Sequence, residues 1–167
     1  NTVFILGYDI NWDNRFYRVG YEHNLINSVK IDSKISNSFR PTYYSEHVYF
    51  AYFDRAGHIK IKELLVDLNI IDIDEISYSG TTYSRNYIHM WNKFIVYREN
   101  FTIKIYDYIN KKLITQITTE TSISPNISIV QDNKTHACFL LNYFGIAPQH
   151  FIILKEDGTY KDIIAHG

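Results

Sequence analysis

Thr102-Ile103-Lys104-Ile105-Tyr106-Asp107-Tyr108-Ile109-Asn110-Lys111-Lys112-Leu113-Ile114 is the stretch from which the fold is read. Ile103 and Ile105 alternate with Lys104 and Tyr106, the period of two that puts apolar side chains on one side of a strand and polar ones on the other. A polar break follows, with Asn110 where a residue tolerant of positive φ is needed, and the chain resumes as a second apolar strand from Leu113 to Ile117. That is a hairpin. Phe151 to Leu154 and Tyr160 to Ile164 repeat it around Glu156-Asp157-Gly158-Thr159, in which Gly158 supplies the positive-φ position.

Working outward, the hairpin recurs. Apolar runs stand at Val3 to Leu6, Val48 to Phe53, Phe94 to Tyr97 and Ala137 to Leu141, each followed by a strand pair. The pairs are Phe16 to Tyr21 with Leu25 to Ile31, Ile59 to Leu64 with Ile70 to Ile73, and the two hairpins above. Equivalent elements lie about 42 to 49 residues apart, the spacing of four-stranded antiparallel blades. A strand precedes the apolar run in three copies, at Thr42 to Ser45, Tyr87 to Trp91 and Ile127 to Val130, and the opening copy lacks one. The expectation is an all-β chain of four meander units, approximately 1–38, 39–80, 81–122 and 123–167, forming a single β-propeller-like domain with an incomplete first blade. Such a chain reads as a possible segment of a larger propeller. One short helix at Lys62 to Leu68 is the rival to strand, because Leu64, Leu65 and Leu68 have helical spacing.

Thr102 to Ile114, a strand ending in Asp followed by a short polar loop and a Lys-Leu-Ile strand, resembles the outer hairpin of WD-like propeller blades. Phe151 to Ile164 resembles blades of six-bladed, NHL-like or TolB-like propellers. The Gly-His and Trp-Asp marks of WD blade edges are missing, and Trp12-Asp13 falls at an inter-strand loop. The resemblance implies architecture alone, since propellers host binding proteins and enzymes alike.

Composition agrees with β structure. There are 26 Ile against nine Leu and five Ala, with 15 Tyr and 10 Phe. β-branched and aromatic side chains suit a pleated surface. With 17 basic and 18 acidic residues the net charge is -1, so a dedicated nucleic-acid binder is disfavoured. No apolar stretch is long enough to span a bilayer, which argues against membrane insertion. Cys138 is the single cysteine, which excludes an internal disulfide, and its apolar neighbours mark it as a buried small hydrophobe.

In registered blades, the loops joining second to third strands gather on one face with the loops between blades. They carry Trp12, Asp13 and Arg15, then Asp54 and Arg55, then Arg98 and Glu99, then Tyr143, with Tyr83 and Arg85 on an inter-blade loop. Aromatic platforms beside acids and bidentate Arg donors suit a protein or a glycan. Seven His, at 23, 47, 58, 89, 136, 150 and 166, lack the short pairing of a metal site, although His47, His136 and His150 stand near strand starts. No Gly-x-Ser-x-Gly elbow and no Gly-rich phosphate loop occurs, and Asp72, Asp74 and Glu75 read as a solvated outward face. Trp91, Met90 and Tyr87 read as core.

The resulting expectation is a non-catalytic recognition module for a protein or glycan, with no cofactor, no metal, and self-association through open blade edges. A propeller enzyme acting on glycans or esters is the alternative. A structural component of an assembly such as a viral or phage appendage is the third. The compartment is left open, with a lean toward an extracytoplasmic or secreted setting.

Overall fold

The computed structural model describes residues 3–8, 14–19, 25–31, 40–80, 87–118, 126–142 and 149–165. They form fifteen strands in four antiparallel sheets, with no α-helix among the described residues. Sheet I holds β1 (Val3–Tyr8), β2 (Asn14–Val19) and β3 (Leu25–Lys30). Sheet II holds β4 (Arg40–Tyr44), β5 (His47–Phe53), β6 (Ile59–Leu64) and β7 (Ile70–Ile76). Sheet III holds β8 (Ile88–Trp91), β9 (Phe94–Glu99), β10 (Thr102–Asp107) and β11 (Lys112–Thr118). Sheet IV holds β12 (Asn126–Asp132), β13 (His136–Asn142), β14 (Gln149–Lys155) and β15 (Tyr160–Ala165). Each sheet is a meander in chain order, and the first has three strands, as the repeat anticipates.

The sheets stack face to face. Along β5, Tyr49, Ala51 and Phe53 point toward Ile88, Met90 and Ile95 of sheet III, while Phe50 and Tyr52 join Phe16 of sheet I and Ile31 just after β3. Along β9, Ile95 and Tyr97 face sheet II, and Phe94 and Val96 face Phe139, Leu141 and Ile152 of sheet IV. Strand alternation thus feeds two cores from one strand, which is why these central strands are apolar at nearly every position. Polar bonds stitch the seams. Arg18 Nη1 donates to the Val66 carbonyl (2.9 Å), Tyr106 Oη to Asp74 Oδ2 (2.6 Å) and Trp91 Nε1 to the Asn133 carbonyl (2.9 Å). Trp91 and Met90 are buried, as expected of core residues.

Turn chemistry follows the sequence in part. Gly158 has φ +87°, as expected. Asn110, however, is not the left-handed residue of its turn: Lys111 is, at φ 52°. The Asp107 carboxylate accepts from the Ile109 and Asn110 backbone N–H groups and from Asn110 Nδ2, and this clamp moves the left-handed residue one position on. The segment with helical spacing is not helical either. Lys62 to Leu64 end β6, and Leu65 to Asn69 turn back to β7 with Leu68 at φ 69° and buried. Strand pairing on both sides of β6 overrides the local leucine spacing.

Among the described residues the four sheets do not close into a ring. Val3 and Ile5 of sheet I are 58% and 49% exposed, and Cys138, Leu140, Phe151 and Ile153 of sheet IV are only half-buried.

Candidate functional site

Of the ten residues singled out in the sequence, Trp12, Asp13, Tyr83, Arg85 and Tyr143 lie outside the described residues. The other five stand at the end of the sheets where second strands turn into third strands. Arg15 Nη1 reaches Ser28 Oγ at 3.5 Å across sheet I. Asp54 Oδ1 accepts from the His58 backbone N–H (2.8 Å), closing a turn that Gly57 permits at φ 91°, and Arg55 on that turn is exposed. Arg98 is 4% exposed, its guanidinium 3.7 Å above the Tyr87 ring and its Nε donating to the Asn100 carbonyl (2.9 Å). Glu99 accepts from the Ser79 N–H (2.8 Å) and from Lys104. Burial pushes its carboxyl up, but those hydrogen bonds outweigh it and hold the group below the ordinary glutamate range. Arg98 and Glu99 therefore brace β8, β9 and the segment after β7, and Arg55 is the member of the five that reaches outward.

Among the described residues, the opposite end, where first strands turn into second strands, carries several concavities. β4, β8 and β12 end side by side around a recess of about 430 Å³ lined by Pro41 to Tyr43, Met90 to Asn92 and Asp132 to Lys134. A second hollow of about 420 Å³ shares Tyr43, Asn92 and Lys134 with it and adds Tyr44, Ser45 and Glu156. A third of about 480 Å³, lined by Tyr44, Lys93, Thr135, Lys155, Glu156 and Asp157, extends it toward the rim. Short turns build this end. Ser45 and Glu46 both have positive φ (50° and 68°), the two-residue hairpin geometry that neither residue type favours. Asn92 also has positive φ, and its carbonyl accepts from Tyr108 Oη (2.6 Å). Asn133 Oδ1 accepts from the Thr135 and His136 N–H groups, making a rigid polar corner. Tyr43 stands between these turns 66% exposed, while Trp91 and Met90 form the buried floor.

Sequence reading missed this end because it followed only one set of loops. In an antiparallel meander the two sets project to opposite ends, and the tight turns at Ser45-Glu46 and Asn92-Lys93 were the available signal.

The remaining titratable groups do structural work. His47 pairs with Glu63 (2.6 Å), His150 with Asp162 (3.1 Å), and His136 contacts Asn133 and Thr135, so the three histidines near strand starts do not converge. Among the described residues no group of three or more His, Cys, Asp or Glu could hold a metal. His89 on β8 is pushed down to about 4, by burial first and by Arg40 next, while its Nε2 donates to the Ile127 carbonyl (2.8 Å). Burial likewise raises the Tyr97, Tyr106 and Tyr108 phenols. The acidic run is split. Asp72 faces solvent with Lys62 at 2.5 Å and Glu75 bonds His58 and Lys60, but Asp74 is turned into the sheet II–III seam. A register shift between Ile61 and Lys62 moves Asp74 off the outward face expected of it.

No protein-family model and no curated protein sequence matches the chain. Solved structures do. The complex of the fission yeast SREBP–SCAP binding domains aligns with TM-score 0.56 at 9% identity, covering 96% of this chain and 51% of that one. BBS1N in complex with ARL6DN aligns with TM-score 0.55 at 7% identity, covering 100% and 64%. Dihydro-heme d1 dehydrogenase NirN aligns with TM-score 0.51 at 8% identity, covering 98% and 38%. The chain has the all-β, propeller-type fold of these proteins along nearly its whole length, and it spans between 38% and 64% of theirs.

Proposed function

We propose that the chain is a protein-recognition module, and that the recess at the ends of β4, β8 and β12 receives an exposed segment of its partner. The observation that carries this is Tyr43, an exposed aromatic set over a buried Trp91–Met90 floor and ringed by Asn92, Lys134 and Glu156. Anchoring aromatics surrounded by polar groups supply much of the energy at protein interfaces at small entropic cost, because a tyrosine has few rotatable bonds to freeze. The positive-φ pair Ser45-Glu46 fits the same reading, since backbone held in an uncommon conformation concentrates where surfaces are shaped for contact. Two of the similar folds were solved in complexes with other proteins, in keeping with this use.

The test is selection of binders from a displayed peptide library, measured against variants of both ends. Tyr43→Ala should weaken selected peptides by about tenfold or more, while Arg55→Ala leaves them unchanged. Loss with Arg55→Ala and retention with Tyr43→Ala would move the contact surface to the opposite face. Binding to a glycan array, abolished by Tyr43→Ala and unaccompanied by peptide binding, would replace a protein partner by a sugar.

A further inference from the structure

The strands that wall the recess belong to three different sheets, so no ladder of backbone bonds joins them. Side chains that reach carbonyl oxygens join them instead. Arg40 Nε of β4 donates to the Ile88 carbonyl of β8 (3.1 Å), and His89 Nε2 of β8 donates to the Ile127 carbonyl of β12 (2.8 Å). Two residues further along β8, Trp91 Nε1 donates to the Asn133 carbonyl (2.9 Å), and Asn92 Nδ2 reaches the Lys134 carbonyl (3.3 Å). Met90 to Asn92 form one wall of the recess, and Asp132 to Lys134 form the wall facing it. The bonds from His89, Trp91 and Asn92 therefore hold the two walls together, and His89 is the member of the three that can take up a charge.

His89 lies opposite Val96 of β9, on the side of β8 turned to sheet IV. A carbonyl oxygen only accepts, so Nε2 carries the proton and the neutral ring is already a complete donor. A second proton would put a charge into a seam where burial disfavours it and Arg40 of β4 repels it, and the two together outweigh the Ile127 carbonyl, which favours the cation. Among the described residues Arg40 is the charged group whose field reaches the ring. β9 turns Val96 toward it, and sheet IV offers the Ile127 carbonyl with Leu141 paired beside it, so no carboxylate neutralises an imidazolium there.

We propose that His89 is a pin withdrawn by acid: the neutral ring holds β8 to β12 and keeps the recess in shape, and on protonation the ring leaves the seam for water, the walls part and a bound segment is released. The release step rests on the recess being the binding site; the opening does not. In water the ring has its ordinary pKa of 6.5, against about 4 in the seam. Above pH 7 the ring is neutral whether the seam is open or closed, and opening is independent of pH. Between 6.5 and 4 the open state binds a proton that the closed state lacks, so the ratio of open to closed rises by about two orders of magnitude.

Hydrogen exchange of the Trp91 indole N–H, followed by NMR and corrected for the intrinsic rate at each pH, tests the pin with no ligand present, because that N–H is held across the same seam. From pH 7.5 to 4 its protection should fall by about a hundredfold in the unaltered chain, while the Ile103 and Ile105 amides of β10, the strand between β9 and β11, stay at least about tenfold better protected throughout. His89→Gln keeps an N–H donor and cannot ionise, so its indole protection should stay constant within about threefold. Arg40→Gln removes the repelling charge, so the fall should shrink. Indole protection that is independent of pH, that falls equally in His89→Gln, or that never drops below that of the Ile103 amide overturns the proposal. Library peptides whose binding is lost with Tyr43→Ala should be released from the unaltered chain over the same pH window and retained by His89→Gln. If the indole opens as expected while those peptides stay bound, the pin is upheld and the recess is not where they bind.

Discussion

Tyr106 of sheet III donates its phenol proton to Asp74 of sheet II at 2.6 Å, and Asp74 has Lys111 as a second partner at 3.6 Å. A tyrosine edge, a carboxylate and a lysine thus close the outer part of a seam whose inner part is aliphatic and aromatic. Tyr106→Phe should cost about 2 kcal/mol, the net worth of a hydrogen bond to a charged, partly buried acceptor, seen as a shift in urea midpoint with unchanged slope.

Arg98 and Arg55 separate a buried brace from an exposed turn residue at the same end of the sheets. Arg98→Ala removes a cation stacked on Tyr87 and a bond to the Asn100 carbonyl, so it should destabilise by about 2 kcal/mol. Arg55→Ala on the exposed turn should move stability by less than about 0.5 kcal/mol. Thermal denaturation of both variants decides this, and equal losses would mean that Arg98 is not the brace described.

Gly158→Ala tests the backbone alone. A methyl there would meet Phe94 at 3.5 Å and Ile114 at 3.8 Å, ordinary contacts, so the cost is conformational. A loss of about 1 kcal/mol is expected, with Gly158→Asn losing less because Asn tolerates the left-handed region. Gly80→Ala differs in cause: its methyl would lie 2.3 Å from the Tyr78 ring, which packs edge-on against Phe53, so the aromatic pair must shift.

His89 sets an acid limit. Its folded pKa, about 4, is below the unfolded value of 6.5, so the unfolded chain binds the extra proton between those values. Above pH 7 His89 is neutral in both states and contributes no pH dependence. As pH falls from 6.5 to 4 stability declines, by at most roughly 3 kcal/mol from this residue, and the loss is complete below pH 4. Comparing urea midpoints of the unaltered chain and His89→Gln across that window isolates the effect. Parallel profiles would show that His89 titrates normally in the fold.

The strands were legible because alternation and turn residues agree locally: Ile103 and Ile105 show their common side in the sequence, and Gly158 marks its own turn. What could not be read depends on neighbours distant in sequence or on irregular pairing. Arg98 beside Glu99 looks like a solvated strand end until Tyr87 is placed over it. Asp74 looks like its neighbour Asp72 until the shift between Ile61 and Lys62 turns it inward. The recess was missed for a third reason. Tyr43 belongs to a short strand whose alternation is ordinary, and only the side-by-side arrangement of β4, β8 and β12 makes it an anchor.

The two-sided apolarity of β5 and β9 has a bearing on how the chain finds its pairing. In a sheet with one wet side, sliding a strand by one residue strands its greasy side chains in water, and that cost fixes the alignment. Here such a slip would merely exchange Phe50 and Tyr52 for Ala51 and Phe53, one oily set for another. Alignment must then be dictated by the hairpin corners, Ser45-Glu46 and Asn92 above all, whose left-handed backbones permit a single way of folding back. Lengthening either corner by one residue is the change by which this chain would mispair while keeping its strands.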